Sequence, residues 1–152
     1  MSVDSRDAVL LVRAGGRACA IPLAHVIETL RPLPVTPSAG VAPFVLGAAV
    51  VRGAAVPVVS LDLFLGSPRS APARFVLVRC GPRAAALAVD AVLGVVSLAG
   101  VERASTPLLG ADGQGAVDAV GALDGELLVL LRASRIVPDD AWRAIARDED
   151  AA

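Results

Sequence analysis

The chain has 152 residues, of which 55% are hydrophobic, and a formal net charge of -1. This suits one globular domain with a sizeable core. All 14 basic residues are arginine and are scattered along the chain, and only three Phe and one Trp accompany them, so the basic face with aromatic platforms of a nucleic-acid binder is missing. No apolar stretch approaches the ~20 residues of a membrane span, and the start "MSVDSRDAV" is not a signal peptide, which predicts a cytoplasmic protein without direct membrane insertion.

The first predicted strand runs over Val9 to Arg13, turns at "AGGR" and returns as a second strand, a hairpin with a short loop. Cys19 lies in the return strand, and with Cys80 far along the chain the two supply neither a disulfide framework nor a zinc ligand set; both read as buried apolar residues. The segment "PLAHVIETLR" fits a single helical turn or a bent strand, because Val26, Ile27 and Leu30 suit either period. "VVRGAAVPVVSL", residues 50 to 61, reads as a second hairpin turning at Arg52-Gly53, with Pro57 expected at an edge or a strand start. "SPRSAPAR", residues 67 to 74, is a connector without apolar period.

Beyond the connector the pattern starts again. At an offset of 66, "FVLVRCGPRAAALAVDAVLGVV" from Phe75 overlies "VLLVRAGGRACAIPLAHVIETL" from Val9 with eight of 22 positions identical, among them Arg13/Arg79, Gly15/Gly81, Arg17/Arg83 and Val26/Val92. At an offset of 72 a further hairpin pairs Arg52-Gly53 with Asp124-Gly125. The order of the blocks is kept, so the chain carries an internal repeat. Short strands closed by Gly turns favour small barrels over an open sheet with exposed edges. The expected architecture is all-β, with two similar barrels over approximately 8–66 and 74–137 and room for strand exchange between them. "PDDAWRAIARDED" then predicts a C-terminal helix and tail over 138–152, opening after Pro138 with Trp142 and Ile145 on one face.

Catalytic chemistry has little to work with. The one histidine, His25, could be imagined with Ser60 and Asp62 as a small hydrolase, but no nucleophile elbow or oxyanion-hole signature surrounds them. "GADGQG", Gly110 to Gly115, lacks the lysine of a P-loop and reads as a loop, and the acids of the "RDED" end read as a solvated tail. Two charges stand apart. Glu28 follows Ile27 in an apolar segment, and Arg52 sits on a tight turn; each is either a solvated position or a polar contact aimed at a partner, and a guanidinium on a rigid hairpin is well placed for bidentate bonding.

Arg52-Gly53 followed by Val56-Pro57-Val58-Val59 and Leu61, with Gly47 ahead and Gly66 behind, resembles the signature of the CheW-like family of chemotaxis coupling proteins. Ile21-Pro22 with Val26, Ile27 and Glu28 resemble the end of the family's first hairpin, and Val89, Asp90, Val92, Gly94 and Val95 its mid-chain segment. The resemblance runs from about Val9 to Val137. It implies two five-stranded SH3-like barrels, no catalysis, no cofactor and no metal. It further implies an adaptor that bridges the regulatory domain of a CheA-type histidine kinase to the cytoplasmic tips of chemoreceptors, recruited to membrane-associated arrays. In this reading Glu28 and Arg52 are polar partner contacts, and Val26, Gly53 and Val56 supply the adjoining surface. The sequence departs from the family pattern at Val50, where the family has Asn, and at Ser60 and Arg132, where it has Asp. These departures keep open a diverged scaffold in a non-flagellar chemosensory pathway.

Overall fold

The computed structural model describes residues 7–99, 103–104 and 115–151, with the backbone alone for 103–104 and 147–151. Most of the Gly110 to Gly115 loop and the side chains of the "RDED" end therefore lie outside the described residues.

Among the described residues eleven strands form two sheets. In chain order they are β1 (Ala8–Ala14), β2 (Arg17–Pro22), β3 (Val26–Leu30), β4 (Val45–Val51), β5 (Ala54–Ser60), β6 (Arg74–Cys80), β7 (Arg83–Val89), β8 (Ala91–Ser97), the two-residue β9 (Arg103–Ala104), β10 (Val117–Leu123) and β11 (Glu126–Leu131). A short helix α1 (Leu61–Phe64) follows β5, and α2 (Asp139–Ala151) ends the chain. One sheet has the order β8-β1-β2-β11-β10, with β9 on its edge; the other has β3-β6-β7-β5-β4. Spans 8–66 and 74–137 each contribute to both sheets, since the hairpin β1-β2 pairs with strands of the second half and β6-β7 with strands of the first.

The repeat governs this arrangement register by register. Val26 pairs with Val78 and Glu28 with Leu77, leaving Ile27 as a bulge; shifted by 66 in opposite senses, Val92 pairs with Val12 and Gly94 with Leu11, leaving Leu93. The bulge between Val45 and Gly47 likewise recurs, at the offset of 72, between Val117 and Ala119. Both Arg52-Gly53 (φ 51° and 83°) and Asp124-Gly125 (φ 52° and 79°) have two consecutive residues at positive φ, the type I′ geometry that matches the twist of a hairpin.

Burial explains the continuous apolar runs. In "FVLV" of β6, Phe75 and Leu77 face the interior of their own barrel while Val76 and Val78 join a central cluster with Leu10, Val12 and Ile21 of the other sheet. Because successive side chains point to opposite faces, a strand with core on both sides must be apolar at every position. The molecule thus has one small core inside each sheet and a larger one between them. Cys19 and Cys80 are buried there, and burial pushes their thiols up to about 12 and about 11.

Two local expectations change. Residues 23–30 are neither a helix nor a bent strand alone but a 3₁₀ turn, Leu23–His25, running into β3. Pro57 is not at an edge: it lies in the middle of β5, between β4 and β7. It is tolerated because the parallel ladder to β7 starts only at Val58, so no N–H is demanded of it there.

Candidate functional site

β3 and β4 occupy the opposite ends of one sheet, yet the sheet curls until they meet. The closing contact is between Glu28 and Arg52. The bulge at Ile27 resets the alternation of β3, so Glu28 turns to the side of the sheet that Leu30 takes, with Leu77 and Phe75, while Val26 faces the central core with Val78. The positive-φ turn aims Arg52 across the gap, where Nε donates to Glu28 Oε2 at 3.0 Å and Nη2 to Oε1 at 2.9 Å and Oε2 at 2.6 Å. The glutamate side chain is 25% exposed and the arginine 74%, so the arginine stays largely open to solvent. The fork geometry restrains both long side chains.

Around this pair the other expected surface residues divide. Gly53 lies on the open turn, with nothing within 4 Å of where a Cβ would stand. Val26 is half-buried and packs on the central core. Val56 is not open surface: it is 5% exposed and belongs to the core inside its barrel. Exposed apolar residues beside the pair are instead Ile27 at 41% and Val50 at 68%. Ile27 could have been read as exposed only from the bulge, which has no local sequence mark. Val50 alternates with the buried Ala49 and Val51, a visible signal.

The residues imagined as a hydrolase are held apart in separate roles. Ser60 Oγ accepts from Leu63 N at 3.2 Å as the N-cap of α1, and His25 Nδ1 is buried with no hydrogen-bond partner among the described residues. Asp62, 4% exposed, belongs to a different structure altogether. Its Oδ1 accepts from Gly15 N at 2.6 Å, and its Oδ2 from Ser70 N at 3.1 Å and Ser70 Oγ at 2.7 Å. Asp90 shares both partners, with Oδ1 2.7 Å from Ser70 Oγ and Oδ2 3.3 Å from Gly15 N. This cluster ties the tip of the β1-β2 hairpin to α1 and the β7-β8 junction, one sheet to the other. Loss of solvent alone would raise the Asp62 pKa, but the hydrogen bonds from Ser70 and Gly15 outweigh it and hold the carboxyl below its ordinary range.

With this geometry in hand, comparison with known proteins decides the family. The CheW-like domain family matches residues 8–141. The chain belongs to the CheW-like family. No curated protein matches it in sequence. Among solved structures it is similar to the crystal structure of the scaffolding protein TtCheW from Thermoanaerobacter tengcongensis, with a TM-score of 0.68 at 18% identity over 84% of this chain and 89% of that one. The CheW-like fold, two SH3-like barrels, is therefore the fold of this chain. Its departures from the family pattern now have local accounts. Ser60 replaces one helix-capping residue with another and still caps α1. Arg132, at the start of a 3₁₀ turn over Ala133–Arg135, is paired to Asp118. Val50 leaves an apolar side chain beside Arg52 on the outer face of β4, and nothing in the fold requires it.

Proposed function

We propose that the chain is an adaptor that couples the cytoplasmic tips of chemoreceptors to the regulatory domain of a CheA-type histidine kinase by protein–protein binding, without catalysis. Membership in the CheW-like family supports chemosensory scaffolding in general, and the solved relative is itself called a scaffolding protein. One observation carries the finer reading: a bidentate ion pair with its arginine largely open to solvent, set on a closed barrel beside exposed Ile27 and Val50. An ordered charge next to exposed apolar side chains is the composition of an interaction hot spot, where arginine is over-represented. Glu28, Arg52 and Gly53 form its polar part, Val26 and Val56 its packed support.

The test is a pulldown of the purified chain against the CheA regulatory domain of the same genome, with Arg52→Glu alongside. Binding that is lost in the variant supports the reading. A native chain that fails to bind points to another kinase or a pathway unrelated to motility.

A further inference from the structure

A groove of about 460 Å³ opens between the start of β5, the tip of the β6-β7 hairpin and α2. Pro57 accounts for it. The β5-β7 ladder begins at Val58↔Ala86, whereas the repeat-related β11-β2 ladder begins two steps earlier, at Leu128↔Ala18, the equivalents of Val56 and Ala84. Without an N–H, Pro57 does not extend the ladder toward Ala85, and the two strands part there. The floor is apolar, with Ala54, Val56, Pro82 and Ile145 among its lining. Arg79 and Arg83 supply its charge, and among the described residues no acidic side chain lines it. Arg83 is stacked over the Trp142 ring, 4.0 Å from its centroid, which holds one cation in place.

The repeat shows what is missing. Arg79 is the equivalent of Arg13, and Ala54 is the equivalent of Glu126. In the other half Arg13 donates to both oxygens of Glu126, at 2.7 and 3.3 Å. In the groove the position of that carboxylate is an exposed methyl group, and among the described residues neither Arg79 nor Arg83 has an ion-pair partner. We infer that this groove docks an acidic, amphipathic segment of a protein partner, whose carboxylate takes the place on Arg79 that Glu126 takes on Arg13 while an apolar side chain lies on the floor. Charge complementarity selects the partner, and the apolar floor adds area that a bare anion would not use. The groove borders the Glu28–Arg52 site through Ile27 and Val56. The inference makes no assumption about the kinase: its test reads an acidic peptide against Arg79, the other reads the kinase domain against Arg52, so the two readings fail independently.

The probe is the peptide acetyl-Glu-Glu-Leu-Leu-Glu-Glu-amide, with a control in which every Glu is Gln. Trp142 is the only tryptophan of the chain, so its fluorescence reports on the groove itself. The acidic peptide is expected to give a saturable change that weakens in about 0.5 M salt. Arg79→Glu and Ala54→Glu are each expected to weaken binding by about tenfold or more, whereas Ala54→Gln and, in the other half, Arg17→Gln stay within about twofold of the native chain. Ala54 is exposed, and Ala54→Gln matches the glutamate in size, so a loss confined to Ala54→Glu reports charge rather than folding. Equal binding of both peptides, or full binding by Arg79→Glu and Ala54→Glu, overturns the inference. So does binding seen only after removal of residues 147–152, which would make the chain's own Asp148, Glu149 and Asp150 the occupant.

Discussion

Arg52 holds Glu28 through three short hydrogen bonds across the seam between β3 and β4, the two edge strands of one sheet. The pair therefore has two separable roles: it closes a barrel, and it orders a charge. A partly exposed pair contributes about 1 kcal/mol or less to stability. Arg52→Glu should accordingly shift the urea midpoint little while abolishing association with the kinase domain. The double swap Glu28→Arg with Arg52→Glu should recover the midpoint but not the binding, because a partner reads the sign of charge at each place. Full recovery of binding by the swap would reduce the pair to a structural clasp.

Gly47 stands where the chain crosses over itself. Thr36 exchanges backbone hydrogen bonds with Ala48, at 2.8 and 2.9 Å, and a Cβ on Gly47 would fall 2.0 Å from the Thr36 carbonyl oxygen. Its φ of 143° is also one that side chains avoid. Gly47→Ala should cost about 3 kcal/mol or more and lower the melting temperature by roughly 10 °C, read by calorimetry. A change within about 1 kcal/mol would mean that the crossing segment swings away freely.

Gly53 tests the hairpin in isolation, since space around it is open and only its φ of 83° opposes a side chain. Gly53→Ala should cost about 1–2 kcal/mol and Gly53→Val more, because a β-branched residue at positive φ is a genuine outlier. Equal midpoints for the two variants in urea would count against backbone strain as the cause.

Much of this fold is legible in the residues because the repeat writes it twice. Arg52-Gly53 and Asp124-Gly125 align in sequence and adopt the same turn, and the strand order of each half follows from that alignment. The exchange of the first hairpins is not legible in the same way: "FVLV" and "LLVR" show that a strand is buried on both faces without showing which sheet it joins. The same limit applies to the site. Glu28 and Arg52 stand out as charges among apolar neighbours, but their mutual pairing depends on curling a sheet whose edges are 24 positions apart in the chain. Val56 misleads because the run from Val56 to Val59 is apolar at every position and buried on both faces of the strand, so it carries no alternation to tell surface from core. The Asp62–Asp90–Ser70 cluster was out of reach altogether, since it joins three connections whose proximity is a property of the two sheets together.

That cluster predicts how the protein responds to acid. Hydrogen bonds from Ser70 and Gly15 hold Asp62 below the carboxylate value of about 3.9 found in unfolded chains. Above that value both states are ionised and the stabilisation is complete. As the pH falls through it the unfolded state takes up its proton first, so stability declines, and the contribution is gone once the pH passes below the folded-state pKa. The urea midpoint should therefore drop between about pH 5 and pH 3, part of it through Glu126, which Arg13 holds low in the same sense. Asp62→Asn isolates the buried carboxylate: it should lower stability at neutral pH by about 1–3 kcal/mol and flatten the acid limb. Ser70→Ala, which keeps the charge and removes the hydroxyl shared with Asp90, raises the folded-state pKa toward the unfolded value, so the loss should be smaller and should end at a higher pH with its onset unchanged. An acid limb of unchanged steepness in Asp62→Asn would show that the two sheets are held together by the apolar cluster around Val12 and Val78 alone.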